Sequence, residues 1–592
     1  LLAYKRVPAS FLNKLKSKKE QSNLEILKNC QTLGGLANLL DFKPKSLSFI
    51  LHILTDKRKY FSFHIQKKNG GVREINAPSA GLKKAQHNLA NILYLCWEEI
   101  NIKNNLKPLA HGYQKGLSIY SNALLHKNKR YVLNFDLKDF FPSINFGRVR
   151  GYFLKNRDFK LNEKIATYIA QIASFKNELP QGSPCSPIIS NLIAHILDVR
   201  LVQLAKKYSC QYSRYVDDIT FSTNQQIFPQ KIAFYEKNNF NNCRLGSEVK
   251  EQIKRSGFFI NPRKTRMTFH NDRQLVTGLV VNKKVNIRRE YYLRARSMVH
   301  SLFQSGYYKI PSFLSPVDIE DSEDICETET ELQRLEGILN HIYFIKMKSL
   351  EIHHNFNLNT KEGKNRLQKE KENSAVWKLV YKFNFFKFFG RGIIPVILCE
   401  GPTDVIYLKL ALKKLYELYP HLIKFEENKF HYKIKITYIT GYPKHDDSKG
   451  GTGELQRFIN DYRTIPLRIN QWSYGKLIII LVDNDEAGEF VNNTARKKFE
   501  DTYKPNDKFG SLYYNIYKKL CLLKLPAIDG LENVDIEDLF DDKYKFKGWQ
   551  DRKMDLAKTI ISNFNDVNFD MFKPLLNKIQ FIVEDKNHIP PV

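Results

Sequence analysis

Two adjacent carboxylates, Asp217 and Asp218, stand in the middle of sequence that otherwise reads as a half-buried hairpin, between Tyr212 and Phe221-Ser222. Neighbouring anions repel each other and are costly to desolvate. Something cationic should therefore neutralise the pair in Tyr215-Val216-Asp217-Asp218. A third acid, Asp136, ends the apolar stretch Tyr131-Val-Leu-Asn-Phe. If these strands are neighbours, Asp136, Asp217 and Asp218 converge on divalent metal. Two Mg²⁺ ions about 3.5–4 Å apart clamp the attacking and leaving oxygens of an in-line phosphoryl transfer. The bland reading of the pair alone is a turn, and the flanking residues decide between the two.

Charge narrows the partner. The chain has 592 residues and a net charge of +32. Residues 1–300 hold 51 Lys and Arg against 20 Asp and Glu, a net +31; residues 301–592 hold 43 against 42, a net +1. A basic half of this kind is the footprint of a polyanion, usually nucleic acid. Apolar residues at 42% and charged residues at 26% exclude a wholly disordered or collagenous chain. The length predicts several domains. The longest apolar run, 477–482, is far short of the ~20 residues of a membrane span, and no membrane partner is expected. The N-terminal Leu1–Arg6 stretch has no apolar core of leader length. Eight cysteines without a C-x-x-C pair fit a reducing cytoplasm and argue against a zinc knuckle.

Periodicity predicts helices over 1–60, a hairpin over 61–75 turning at Lys67-Lys68-Asn69-Gly70-Gly71, and a helix over 79–106. A strand at 131–136, helices at 161–178 and 187–206 and a hairpin at 212–222 follow. Residues 286–350 read as helical, interrupted by an acidic insert at 311–331. Residues 351–390 read as a linker or exposed helix. After Gly390, buried-type strands at 393–399, 433–439 and 476–482 alternate with helices, an α/β pattern with a mainly parallel sheet.

Four motifs in order resemble the reverse transcriptases: Phe135-Asp136-Leu137-Lys138-Asp139-Phe140-Phe141-Pro142, Leu179-Pro180-Gln181-Gly182-Ser183-Pro184, Tyr215-Val216-Asp217-Asp218, and Gly257-Phe258-Phe259-Ile260-Asn261-Pro262-Arg263-Lys264. The resemblance implies that Asp136 and Asp217 bind both metals with support from Asp218. It places Phe141 against the sugar 2′ position, where a ring excludes ribonucleotides. Gln181 and Gly182 would approach the incoming base and template backbone, Gly182 because it lacks a Cβ. Arg73 and Lys67 would contact the triphosphate of a dNTP, and Lys264 the leaving pyrophosphate.

Asn122-Ala123-Leu124-Leu125-His126 and Val276-Thr277-Gly278 are similar to elements of one branch, the retron reverse transcriptases, with Val216 where that branch more often has Ala. The resemblance spans about residues 20–350. It implies RNA recognition by Asn122, His126, Val276, Thr277 and Gly278. It also implies copying of a cognate structured non-coding RNA into cDNA, primed from a guanosine 2′-hydroxyl, to give a branched RNA–DNA hybrid (msDNA). A basic thumb beginning at 283–296 would track the duplex backbone.

The second half carries its own acids. Glu400-Gly401-Pro402-Thr403-Asp404 follows one strand, and Asp483-Asn484-Asp485-Glu486-Ala487-Gly488 follows another. Acids at the carboxyl ends of parallel strands sit where α/β sheets place ligands. Glu400, Asp483 and Asp485 would hold one or two Mg²⁺. The pattern resembles the TOPRIM domain of topoisomerases, primases and overcoming-lysogenization-defect nucleases, and 534–540, with Glu537 and Asp538, resembles a later acidic element of the nuclease branch. A topoisomerase's tyrosine domain and a primase's zinc module are not recognisable, so cleavage of DNA or RNA is the expected chemistry. Gly450-Gly451-Thr452-Gly453 lacks the Walker ending and reads as a flexible loop.

The expected fold is thus an α+β right-hand polymerase (1–285 fingers and palm, 286–350 thumb), then a linker at 351–390 and an α/β TOPRIM domain at 391–592. The expected function is a retron reverse transcriptase fused to a nuclease effector of anti-phage defence, cytoplasmic in a bacterium and with homo-oligomerisation open. Two alternatives remain: a group II intron-like mobile-element enzyme, and a second half that only binds nucleic acid.

Overall fold

The computed structural model describes residues 22–66, 70–236, 239–308, 329–439, 451–506, 510–528, 531 and 533–585. It forms two compact units, one ending at Arg288 and the other starting at Arg289.

The first unit opens with short helices, Asn23–Lys28, Leu33–Leu39 and Pro44–Ser48, then a π-helical turn at Phe49–Ile53 and a last turn at Asp56–Lys59. Ser22 and Thr32 cap the first two, each hydroxyl accepting a backbone N–H at 3.1 Å. The predicted hairpin follows as β1 (Tyr60–Gln66) and β2 (Val72–Pro78), antiparallel from Tyr60↔Pro78 to Gln66↔Val72. Lys67, at its turn, lies outside the described residues. The Ala80–Lys103 helix buries Leu82, Ala85, Leu89, Leu93, Cys96 and Ile100, spaced by three or four residues so that one stripe faces the core.

Strands β3 (Tyr131–Lys138), β4 (Gln211–Tyr215) and β5 (Asp218–Thr223) precede a hairpin of β6 (Ala233–Glu236) and β7 (Asn239–Leu245) and the long β8 (Phe259–Phe269). Strands β3, β4, β5 and β8 make an antiparallel four-stranded sheet in the order β4-β5-β3-β8. β9 (Leu275–Val276) and β10 (Leu279–Val280) form a separate short hairpin. The Phe146–Lys155, Glu163–Ala173 and Ser186–Lys207 helices share the sheet's core. Ser186–Lys207 is long and apolar enough to cross a membrane by composition, although it has no unbroken apolar run; 67% of its most apolar window is buried in this core.

Arg214 of β4 is fully buried and forms a bidentate pair with Asp198 of that helix, both oxygens at 2.7 Å. Tyr212 donates to the same carboxylate at 2.7 Å. Arg214 also donates to the Val216 carbonyl at 2.8 Å and to Asn191 at 3.3 Å, and Asn191 donates to the Gly112 carbonyl at 2.8 Å. A buried charge is tolerable only with such full pairing. The network grips the turn between β4 and β5, where Val216 is held at φ 61°, a conformation that β-branched residues rarely adopt. Gly112 lies against this turn: a Cβ there would stand 2.9 Å from the Val216 nitrogen.

The second unit is built on a six-stranded sheet. Its strands are β11 (Val396–Cys399), β14 (Lys435–Tyr438), β15 (Ile478–Val482), β16 (Lys504–Asn506), β17 (Gly510–Tyr517) and β18 (Leu520–Lys524), with a side hairpin of β12 (Ile423–Glu426) and β13 (Lys429–Tyr432). The order is β14-β11-β15-β18-β17-β16; the first four run parallel, β17 is antiparallel to both its neighbours, and β16 thereby runs with the first four. Every residue of β11, β15 and β18 is buried, which is why they read as continuous apolar runs instead of alternating ones.

Two expectations change here. The 351–390 segment is no plain linker: after the Lys361–Asn373 helix comes Ala375–Phe389, which buries Trp377, Phe383, Phe385, Phe386 and Phe389. Its rings meet Phe458 and Trp472, so the apolar content goes into a core. The helices expected as thumb, Arg289–Ser305 and Glu329–His353, cluster with this second unit. The Gln471 backbone N–H donates to the Phe303 carbonyl at 3.2 Å, and Lys387 pairs with Glu336 at 2.8 Å. Most of the acidic insert lies outside the described residues.

Replacing Asp198 with Ala leaves the Arg214 guanidinium buried and unpaired. We expect a loss of about 3–5 kcal/mol, read as an earlier first transition in urea unfolding of the full chain.

Candidate active sites

The strand register brings the three acids of the first half together. Asp136 on β3 lies opposite Asp218 on β5, and Asp217 occupies the turn just before β5. The Leu137 amide donates to the Asp217 carbonyl at 2.9 Å and ties this turn to β3. Burial, then the Asp136 and Asp217 charges, push the Asp218 carboxyl up to about 7. Asp217 is raised for the same reasons, burial first and Asp136 next, with Lys264 and Arg73 opposing. Lys264 of β8 reaches across to the Asp136 carboxylate, and this hydrogen bond raises its own pKa.

Among the described residues no three His, Cys, Asp or Glu side chains form a ready-made metal cage. The donor set nevertheless suits a divalent cation. The Asp218 Oδ1 is buried without a hydrogen-bond partner, and Asp217 and Asp218 are held against their own repulsion. Asp136 joins them once it releases Lys264.

Asp217 and Asp218 open into a cleft of about 1190 Å³, whose walls include Arg73, Tyr113, Phe141, Gln181, Lys264 and Thr277. Arg73, Phe141, Gln181 and Lys264 thus line one cleft. The close approach of Gly182 is made to the protein itself: at φ 122°, a Cβ there would stand 2.7 Å from the Asn76 carbonyl oxygen. The Asn76 amide donates to the Gln181 carbonyl at 2.8 Å, stitching the β1–β2 hairpin to this loop. Tyr113, at φ 57°, is marked by no sequence pattern.

The five residues expected to recognise RNA divide differently. His126 is fully buried, bridging Ser222 and Ser213 of β5 and β4 at 2.7 Å each, and burial lowers its pKa to about 3. Asn122, at 1% exposure, and Val276, at 0%, are also interior. Direct RNA contact by these three side chains is therefore corrected to a packing role. Thr277 and Gly278 form the two-residue turn between β9 and β10, both at positive φ. Thr277 donates to the Ile119 carbonyl at 3.2 Å, so this turn packs onto the Ile119–Leu124 helix that carries Asn122. Gly278 is exposed.

In the second unit, β11 and β15 pair in parallel through Val396↔Ile478, Ile397↔Ile479 and Leu398↔Ile480. Glu400 and Asp483 therefore leave adjacent strand ends, and the Asp483 amide donates to the Glu400 carboxylate at 3.2 Å. Burial, then Glu400, Asp404 and Asp535, push Asp483 up to about 9; Lys553 opposes. Burial is the main cause that pushes Glu400 up to about 7. One oxygen of Asp485 is spent capping the Glu486–Lys498 helix, accepting from Gly488 at 2.7 Å. Asp404 likewise caps its own helix, at 2.9 Å from the Gly401 amide.

The later acidic element joins this centre. Asn484 and Val534 exchange backbone hydrogen bonds at 2.9 and 3.1 Å. Lys553, which no motif marks, binds Glu537 at 3.0 Å and Asp535 at 3.5 Å. Glu537 is fully buried with its Oε1 unpartnered. Asp538 turns away: it closes a capping box with Asp535 and meets Lys545 at 3.3 Å. The unpartnered Glu537 oxygen and the raised Glu400 and Asp483 suit a divalent cation here too.

A carboxyl raised in the folded state binds more protons folded than unfolded, so stability falls as pH rises between the two pKa values. For Asp483 that window runs from about 4 to about 9. In EDTA the Tm of the full chain is expected to fall between pH 6 and 9. Asp483→Asn should flatten the fall, and added Mg²⁺ should raise Tm most at the alkaline end.

Residues 65–289 match the family described as reverse transcriptase (RNA-dependent DNA polymerase). The Retron Mx65 reverse transcriptase of Myxococcus xanthus is 32% identical over 258 residues, covering 41% of this chain and 56% of the relative. The Retron Mx162 reverse transcriptase of the same organism is 31% identical over 312 residues, covering 48% and 61%. The Retron Ec86 reverse transcriptase of Escherichia coli is 31% identical over 328 residues, covering 54% of this chain and 88% of the relative. The chain spans little more than half the length of the two Myxococcus relatives. The first unit has the right-hand polymerase fold of such enzymes, and the chain belongs to the retron reverse transcriptases.

Proposed function

We propose that the first unit is an RNA-directed DNA polymerase that copies a cognate structured non-coding RNA into msDNA, primed from a guanosine 2′-hydroxyl. The observation that carries this reading is the meeting of Asp136 with Asp217 and Asp218, the last two lining a cleft shared with Arg73, Phe141, Gln181 and Lys264. Mg²⁺ held by the three acids would stabilise charge on the attacking and leaving oxygens. Arg73 binds the dNTP triphosphate, and Phe141 stands against the sugar 2′ position. The Lys264 ammonium, now paired with Asp136, is released when that carboxylate takes up metal and pairs with the departing pyrophosphate. The structural glycine at 182 keeps the fingers hairpin close over Gln181. Asp217→Ala should abolish DNA synthesis on the co-purifying RNA, and a loss of only a few-fold would refute the assignment.

We infer further that the second unit is a TOPRIM nuclease domain serving as an anti-phage effector. Support comes from Glu400 and Asp483 at adjacent parallel strand ends, with Asp535, Glu537 and Lys553 beside them. Glu400 acts as general acid or base at a phosphodiester; its pKa near 7 suits either role. Bound RNA–DNA product would hold the domain inactive until phage disturbs it. Cleavage by the purified complex is expected to rise after its DNA strand is degraded, and to vanish in Asp483→Ala while DNA synthesis persists. Equal cleavage in both states of the complex would sink the restraint model.

A further inference from the structure

The second unit is close to neutral overall, yet one groove on it gathers cations. The Ala375–Phe389 helix presents Trp377, Lys378, Tyr381 and Lys382 along one face, since residues four apart on a helix are neighbours. The facing wall is the Thr452–Thr464 helix with Arg457, and Arg468 closes one end. The groove has a volume of about 500 Å³.

The acids here are already engaged. Glu372 pairs with Arg457 at 3.4 Å, and Asp461 accepts from the Tyr381 hydroxyl at 2.5 Å. Among the described residues, Lys378, Lys382 and Arg468 meet no carboxylate. Burial and the charges of Arg468 and Lys378 hold the Lys382 pKa below its ordinary value, so these cations face one another without relief. Beside them Trp377 and Tyr381 stack with centroids 4.6 Å apart, and the Arg457 guanidinium lies over the Trp377 ring at 4.6 Å.

We propose that this groove binds the phosphodiester backbone of a single nucleic-acid strand, with Lys378, Lys382 and Arg468 on consecutive phosphates and Tyr381 beside a base. Unrelieved cations next to an aromatic wall are the combination that holds single strands without reading sequence. Trp377 is enclosed between Tyr381 and Arg457, so the half-buried Tyr381 is the ring that reaches the groove. The groove is separate from both acidic centres, none of whose residues line it. It rests on the reading that this protein carries nucleic acid, and it gives the second unit a hold on that strand that does not depend on catalysis.

The test uses the full chain and a 20-nucleotide DNA strand containing 4-thiothymidine, irradiated and mapped by peptide. An adduct is expected within 375–389, falling at least tenfold in K378E/K382E/R468E and retained in K378R/K382R. Each phosphate left without its cation should also lower the log–log salt dependence of this adduct by about 0.7. An unchanged second-unit transition in urea unfolding of the triple variant reports that the unit carrying the groove is folded. No adduct in 375–389 with wild-type chain overturns the proposal. So does an adduct there that 1 mM ATP abolishes while adducts within 60–288 persist, which would assign the groove to free nucleotides. Loss of adducts within 60–288 alone would count against the polymerase reading and leave this one standing.

Discussion

Arg214 is a full charge in the interior, and the three acids of the first unit depend on it. Desolvating a guanidinium costs several kcal/mol, offset here by two bonds to Asp198 and by the Asn191 and Val216 acceptors. What the arrangement achieves is position. The Val216 carbonyl is held from below, the turn keeps its left-handed residue, and Asp217 projects beside Asp136 and Asp218. Three carboxylates that repel one another would otherwise relax apart.

The second unit meets the same difficulty with another device. Its acids leave the ends of parallel strands, so the sheet itself aligns Glu400 with Asp483. The Asn484–Val534 bridge then delivers Asp535 and Glu537, and the Lys553 ammonium absorbs part of their charge. In both places a lysine pairs with carboxylates that also suit a divalent cation. Their carboxylates differ in exposure: Asp136 is 19% exposed, whereas Glu537 is sealed.

Much of this is legible in the chain. An acid ending an apolar strand, or two acids inside a hairpin, contradict their surroundings, and the contradiction marks a site. Asp136, Asp217, Asp218, Glu400 and Asp483 all stand out that way. Arg214, Asp198 and Lys553 do not, because an isolated Arg, Asp or Lys is ordinary surface sequence until its partner is known. His126 misleads for the converse reason: an imidazole that looks available in sequence is enclosed by Ser213 and Ser222, which lie 87 and 96 residues away. The 375–389 segment, which reads as linker from its place between two patterns, carries aromatic rings that only a partner such as Trp472 explains.

The sequence by itself determined the strands that carry the acids, which residues are acids at their ends, and that the positive charge is concentrated in the first half. These follow from local periodicity and from net charge, both of which can be read along the chain. Tertiary structure alone decided that Asn122, His126 and Val276 face inward, that Gly182 makes room for Asn76, and that the helices after Arg288 belong with the C-terminal sheet. Burial, register and charge pairing are relations between residues distant in the chain, and no local pattern encodes them.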